Sequence, residues 1–269
     1  METGMSTESG RPARSMNRGI GMKRVTWSSL VVAVFVSVAC TSAEDPPPLE
    51  TSSGSSSSDV HVLAEADCPH YDCTGPLEPG RYRATYVDPT IAFEVGSPGW
   101  TWSYRGSLQM IAADAVAEGY GADGINFFLD PVISSQGCED GAEPGVGRSV
   151  DDLVAWLEAA PGLTTSNRTP VTVGGLDGIR LDLEIDPEWD RTCFFSEGKP
   201  VVPLVYSSAF PGGYNWAILP EMSMRWYVLS AGNRVLIVDV EDNPKGLSHD
   251  ELFRNGDEVV GSMVFSSPS

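Results

Sequence analysis

Basic residues are scarce in this chain. Seventeen Lys and Arg stand against 37 Asp and Glu over 269 residues, a formal charge of −20. A surface of that sign repels nucleic acid and anionic headgroups alike, so neither is expected as a partner. Histidine is scarcer still, with His61, His70 and His249 the three copies. Neither a G-x-S-x-G elbow nor an H-E-x-x-H pair occurs, so serine-elbow hydrolases and zinc peptidases lack their parts. The calcium loop D-x-[DN]-x-[DN]-G is missing too. No apolar run approaches the roughly 20 residues that span a bilayer.

What the chain does contain, near its start, is MKRVTWSSLVVAVFVSVACTS, residues 22–42. Lys23 and Arg24 precede an apolar core from Leu30 to Ala39, broken only by Ser37. That length suits the core of an export signal. Ser37-Val38-Ala39-Cys40 resembles a bacterial lipobox, with Ser37 where the pattern usually has Leu. The resemblance implies that the Cys40 sulfur is acylated, as with palmitate, and that Cys40 becomes the first residue of the mature chain. Beyond it the chain turns polar, through Thr41, Ser42, Glu44, Asp45 and three prolines. Lipid would therefore do the anchoring, each acyl chain adding about 0.8 kcal/mol per buried methylene. The expected location is the extracytoplasmic face of the cell membrane, with the membrane a partner through the anchor alone. Met22 is a candidate start.

Three segments follow from this. Residues 1–39 are an upstream extension and signal peptide. Residues 40–66 are the lipidated Cys40 and a Ser/Pro-rich tether, expected to be disordered and to reach about 25–30 Å. Residues 67–269 are a single domain, large enough for a proper core. Loss of residues 1–39 removes five basic and two acidic residues and leaves a formal charge of −23. Four further cysteines remain, Cys68, Cys73, Cys138 and Cys193, and an even count in an exported chain implies disulfides. Of three connectivities, Cys68–Cys73 and Cys138–Cys193 is preferred, because the first pair closes a short local loop.

Strand signals dominate the domain: 80–87, 90–95, 100–105 and a largely buried run at 124–133. Residues 169–186 form a hairpin turning at Leu176-Asp177-Gly178, with Asp182, Glu184 and Asp186 on its outer face. Residues 224–242 form another, turning at Ala231-Gly232-Asn233. Ser149 with an acid three residues on starts one helix, followed by Pro161, and Ser248 starts a second whose middle Asn255-Gly256 weakens. A strand at 262–265 closes the chain. The expected class is α+β, an antiparallel sheet with a few helices packed on it. The run Pro79-Gly80-Arg81-Tyr82, then IAFEVGSPGW, FFLDP, VTVGGLDGIRLDLEI and VVGSMVF, resembles a family of uncharacterised actinobacterial lipoproteins. The order of elements is also similar to the PsbP-like fold, which implies binding or assembly roles and no particular functional residue.

The chemistry-bearing motifs are weak. GYGADG, 119–124, matches G-x-G-x-x-G but leads into a strand rather than a helix, so a glycine-rich turn is expected. Cys68, His70 and Cys73 lack a standard zinc spacing, and export favours a disulfide. The run Asp182, Glu184, Asp186, Glu188, Asp190 spreads carboxylates about 7 Å apart on a strand, too far to share one calcium ion, and is expected to be a solvated face. Trp100, Trp102, Tyr104, Trp216, Trp226 and Tyr227 would either line a groove or pack the core, the latter being usual in a β-rich domain. His249 at a helix start is expected in solvent. Asn167-Arg168-Thr169 is a sequon that bacterial export leaves idle. No cofactor, metal or catalytic residue is assigned. The expected function is a non-catalytic binding or envelope-accessory module acting on an unknown protein or small ligand. The alternatives are a secreted hydrolase using an acidic pair and a calcium-stabilised structural domain.

Overall fold

The computed structural model describes residues 59–63, 74–85, 89–103, 107–110, 123–207, 214–243 and 247–266. Cys40, the signal segment and the Cys68–Cys73 pair lie outside them, as do His70, Tyr104 and most of GYGADG. Strand dominates, with two helices among the described residues. Where one sheet was expected, three occur among the described residues.

The largest has eight strands, every neighbouring pair antiparallel. Its order is β2 (Thr74–Pro76), β5 (Trp100–Ser103), β6 (Ser107–Met110), β7 (Asp123–Leu129), β14 (Arg234–Asp242), β13 (Ser223–Ala231), β10 (Leu176–Ile185), β9 (Leu163–Val173). A four-stranded sheet runs β1 (Val60–Leu63), β3 (Gly80–Ala84), β4 (Thr90–Val95), β15 (Val264–Ser266). A three-stranded sheet runs β12 (Tyr214–Ile218), β11 (Val202–Ser207), β8 (Val132–Ile133). Strand β1 pairs in parallel with β3, so residues 60–63, assigned to the tether from composition, are part of the ordered fold. Val60, Val62 and Leu63 supply the β-forming side chains that the serine run before them lacks.

Alternation along the central strands sorts side chains onto two faces. Tyr227, Leu229, Leu236, Val238 and Val240 join one core, shared with the four-stranded sheet and α2 (His249–Gly261). Met224, Trp226, Val228, Val235 and Ile237 join the other, shared with the three-stranded sheet and α1 (Val150–Ala159). Helix α1 begins as its sequence dictates: the Ser149 hydroxyl accepts from the Asp152 amide, and the Asp152 carboxylate accepts from the Ser149 amide. Such a cap contributes about 1 kcal/mol.

Three expectations change. The hairpin of β9 and β10 turns at Gly174-Gly175, both at positive φ (56° and 84°), two residues before the Asp177-Gly178 signal. Gly178 sits inside β10, where a Cβ would come within 2.1 Å of the Val228 carbonyl. The run 124–133 is broken after Leu129, because Asp130 takes φ 50° and Pro131 has no N–H for a ladder. Gly256, read as a weak point of α2, lets that helix approach β14: a Cβ there would lie 2.6 Å from Val240 Cγ1. Close packing, not helix propensity, places a glycine there.

Candidate functional site

Two polar clusters occupy opposite faces of the eight-stranded sheet. On the face under α2, Arg225 of β13 lies across from Asp182 of β10. Its Nε reaches Asp182 Oδ1 at 2.6 Å and its Nη2 reaches Oδ2 at 2.8 Å, a bidentate pair. Its Nη1 donates to Asp257 Oδ2 of α2 at 2.7 Å, and the guanidinium lies over the Phe253 ring at 4.4 Å. Asn167, at φ 53° in the edge strand, donates to Asp182 Oδ2. Tyr227 donates to Asp257 Oδ1. Burial pushes the Asp182 pKa up, but hydrogen bonds from Arg225 and Asn167, with the nearby cations, outweigh it and hold the group below its ordinary value. Burial, then the Asp257 hydrogen bond, raises Tyr227.

The sheet pins the start of the helix too. Asp123 of β7 accepts from the amides of Asn243 and Leu247, ahead of α2. His249 Nδ1 lies 3.3 Å from Asp242 Oδ2, with its ring against Phe253. Above this network runs an open groove of about 610 Å³, with Asn167, Asp182, Arg225, His249, Asp257 and Glu258 on its lining. His249 is exposed, as its place at a helix start suggested, and stands at the groove margin beside Asp242.

The opposite face holds a pair that alternation along β14 hides. Asp239 and Glu241 are both buried and point to the same side. The Asn126 amide of β7 donates to both, at 3.2 Å to Asp239 Oδ2 and 3.4 Å to Glu241 Oε2. Trp216 Nε1 of β12 donates to Asp239 Oδ2 at 3.1 Å, tying the three-stranded sheet to the larger one. Asp239 Oδ1 and Trp226 Nε1 are buried without a hydrogen bond of ordinary geometry, although the indole is near enough to favour the charged carboxylate. Burial dominates and carries Asp239 up to about 7, against the Asn126, Trp216 and Trp226 donors. Burial and then the charges of Asp239, Asp123 and Asp242 raise Glu241 well above its ordinary value.

These shifts set a pH dependence. Asp239 and Glu241 have folded pKa values above their unfolded ones, so their contribution is full below the unfolded pKa and is lost as pH rises through the folded pKa. Asp182 is depressed, so its contribution is lost only as pH falls through its folded value. Stability is therefore expected to peak in mild acid and to decline between about pH 4 and 7. A carboxyl carried up to about 7, as Asp239 is, converts to about 4 kcal/mol, and relaxation around it leaves an expected decline of about 2 kcal/mol. Asp239→Asn keeps an acceptor for Asn126 and Trp216, and urea titrations across that range of the Asp239→Asn/Glu241→Gln variant, which neutralises both groups, should lose most of the decline. An unchanged slope would show that the pair is not its source.

Among the described residues no group of three or more His, Cys, Asp or Glu is arranged to hold a metal ion. Asp182 is not part of a solvated face; it is buried and committed to Arg225. The structure forms the Cys138–Cys193 disulfide, with the Cα atoms 5.5 Å apart. The loop after Cys193 carries Ser196-Glu197-Gly198-Lys199, the S-x-x-K spacing of a serine acyl-transfer pair. Here the Ser196 hydroxyl is taken up by the turn, at 2.9 Å from the Cys193 carbonyl and 2.7 Å from the Lys199 carbonyl, while Lys199 is exposed. Trp100, Trp102, Trp226 and Tyr227 are buried and Trp216 is half-buried, so these aromatics pack the core and form no open binding face. No protein-family model and no curated protein matches this chain.

Proposed function

We propose that the chain is an exported lipoprotein, acylated at Cys40 and held at the extracytoplasmic face of the cell membrane. In this reading residues 67–269 carry, with the short β1 before them, a single α+β domain that binds a protein or small ligand and does not turn over substrate. The observation that carries the reading is the Cys138–Cys193 disulfide, which persists in oxidising compartments and agrees with the signal-like run before Cys40. The groove at α2 is the proposed ligand site, because it gathers polar groups around Arg225 and Phe253. Asp182, Arg225 and Asp257 are already paired with one another there, an arrangement that suits recognition better than proton transfer. The likeness to actinobacterial lipoproteins and to the PsbP-like fold is part of this proposal.

One observation favours the second reading, an acidic hydrolase: the raised pKa values of Asp239 and Glu241, a common mark of acid–base sites. Against it, the two carboxylates sit two residues apart on one strand with the Asn126 amide between them. A glycosidase pair instead flanks an open space of about 5–9.5 Å. Crosslinking on intact cells, followed by mass spectrometry, separates the readings. The binding reading expects a reproducible crosslinked partner or ligand adduct mapping to the groove, and no turnover of ester, peptide or glycoside panels. Turnover that Asp239→Asn abolishes would establish the hydrolase.

A further inference from the structure

The outer face of the four-stranded sheet has a composition unlike the rest of this acidic chain. Alternation sends Tyr82, Ala84, Ile91 and Phe93 into the core and leaves Arg81 and Arg83 outside. Register sets Val60 beside Arg81 and Val62 beside Arg83. Arg83 faces Ala92, which faces Val264 on the far edge. Val60, Val62 and Val264 are 43%, 55% and 55% exposed, three of the five large apolar side chains exposed among the described residues. Glu94 balances Arg81 through a solvent-exposed pair at 3.4 Å, so the face carries net positive charge.

We propose that this basic, valine-studded face docks on the anionic lipid surface to which Cys40 tethers the chain. The proposal rests on the lipoprotein reading. Val60 follows Cys40 by 20 residues, and β1 is the first described strand after it. A Ser/Pro-rich segment of that length reaches about 25 Å, which holds the face at an effective concentration on the order of millimolar beside the bilayer. Weak contacts then suffice: arginines attracted to anionic headgroups and valines removed from water at the interface. The net charge of the chain does not oppose this, because carboxylates farther from the bilayer than the Debye length of about 8 Å are screened.

The test uses the full chain, purified with its acyl groups from an exporting bacterial host. It is reconstituted on vesicles of phosphatidylcholine alone or of phosphatidylcholine mixed with phosphatidylglycerol. Flotation reads anchoring; the rate of phenylglyoxal modification at Arg81 and Arg83 reads docking, with exposed Arg168 on β9 as the internal control. The chain should float with both vesicles, and modification of Arg81 and Arg83 should slow about fivefold on the anionic ones only, the factor expected from one arginine at a charged surface. Arg83→Glu should restore the Arg81 rate without loss of flotation. Flotation with equal rates on both vesicles would overturn docking and leave the anchor standing. Slowing that tracks protein density and not headgroup charge would mean pairing of copies and would also overturn it. Failure to float would remove the anchor, and docking with it.

Discussion

Replacement of Arg225 by alanine is expected to lower unfolding stability by about 3–5 kcal/mol, the range for removing one partner of a buried ion pair. The guanidinium side chain is 13% exposed and Asp182 9%, so water cannot replace what is lost. Asp257 is more open and has Tyr227 as a further donor, so most of the cost falls on Asp182. Because the penalty is chiefly an unpaired buried charge, Asp182→Asn in the Arg225→Ala background should recover a large part of it. Urea denaturation of the two single variants and the double one measures the coupling directly. A loss under about 1 kcal/mol for Arg225→Ala would mean that the network is solvated in solution. Helix α2 should report the same change through faster amide exchange, since Arg225 and Tyr227 both hold it through Asp257.

The second large effect is expected from the Cys138–Cys193 bond. It joins residues 55 apart, and on the chain-entropy model a loop of that length contributes about 4 kcal/mol by limiting the unfolded chain. It ties the segment after β8 to the loop that carries Phe194, where Ser196 and the Thr192–Pro200 bridge build a compact turn. A Cys138→Ala/Cys193→Ala chain should therefore melt well below the wild type, and reductant should bring the wild type down to nearly the same temperature. Residual sensitivity to reductant in the double variant would measure Cys68 and Cys73. Non-reduced peptide mapping that links Cys68 to Cys138 would contradict the connectivity.

Local signals proved reliable where a local rule decides the outcome. The 224–242 hairpin was legible because alternation and Gly232-Asn233 agree, and β13 and β14 pair across that turn. Helix α1 was legible from Ser149 and Asp152, since a capping box lies within four residues. The polar clusters were not legible, for a physical reason. Asp239 and Glu241 alternate with valine as a solvated strand face would, and their burial depends on Trp216 and Asn126, the latter 113 residues away. Asp182 was misread in the same way, because the helix that covers it begins 67 residues later, at His249. One clue was available: Asp239 interrupts the apolar run from Val235 to Val240, where a lone acid in a central strand has nowhere to go but inside. Arg225, within an otherwise apolar strand, pointed just as directly to a buried acidic partner.

In the proposed reading Cys40 carries the lipid that fixes this protein to the outside of the cell membrane. Metabolic labelling with an acyl-chain analogue, in cells expressing the full chain and its Cys40→Ala variant, tests it most directly. Label is expected in the wild type, with an N-terminal peptide starting at acylated Cys40 and a labelled chain in the membrane fraction. The variant should be unlabelled and misplaced, with the Cys138–Cys193 bond still formed. Label that persists in Cys40→Ala, or a wild-type chain that is never labelled, would contradict it.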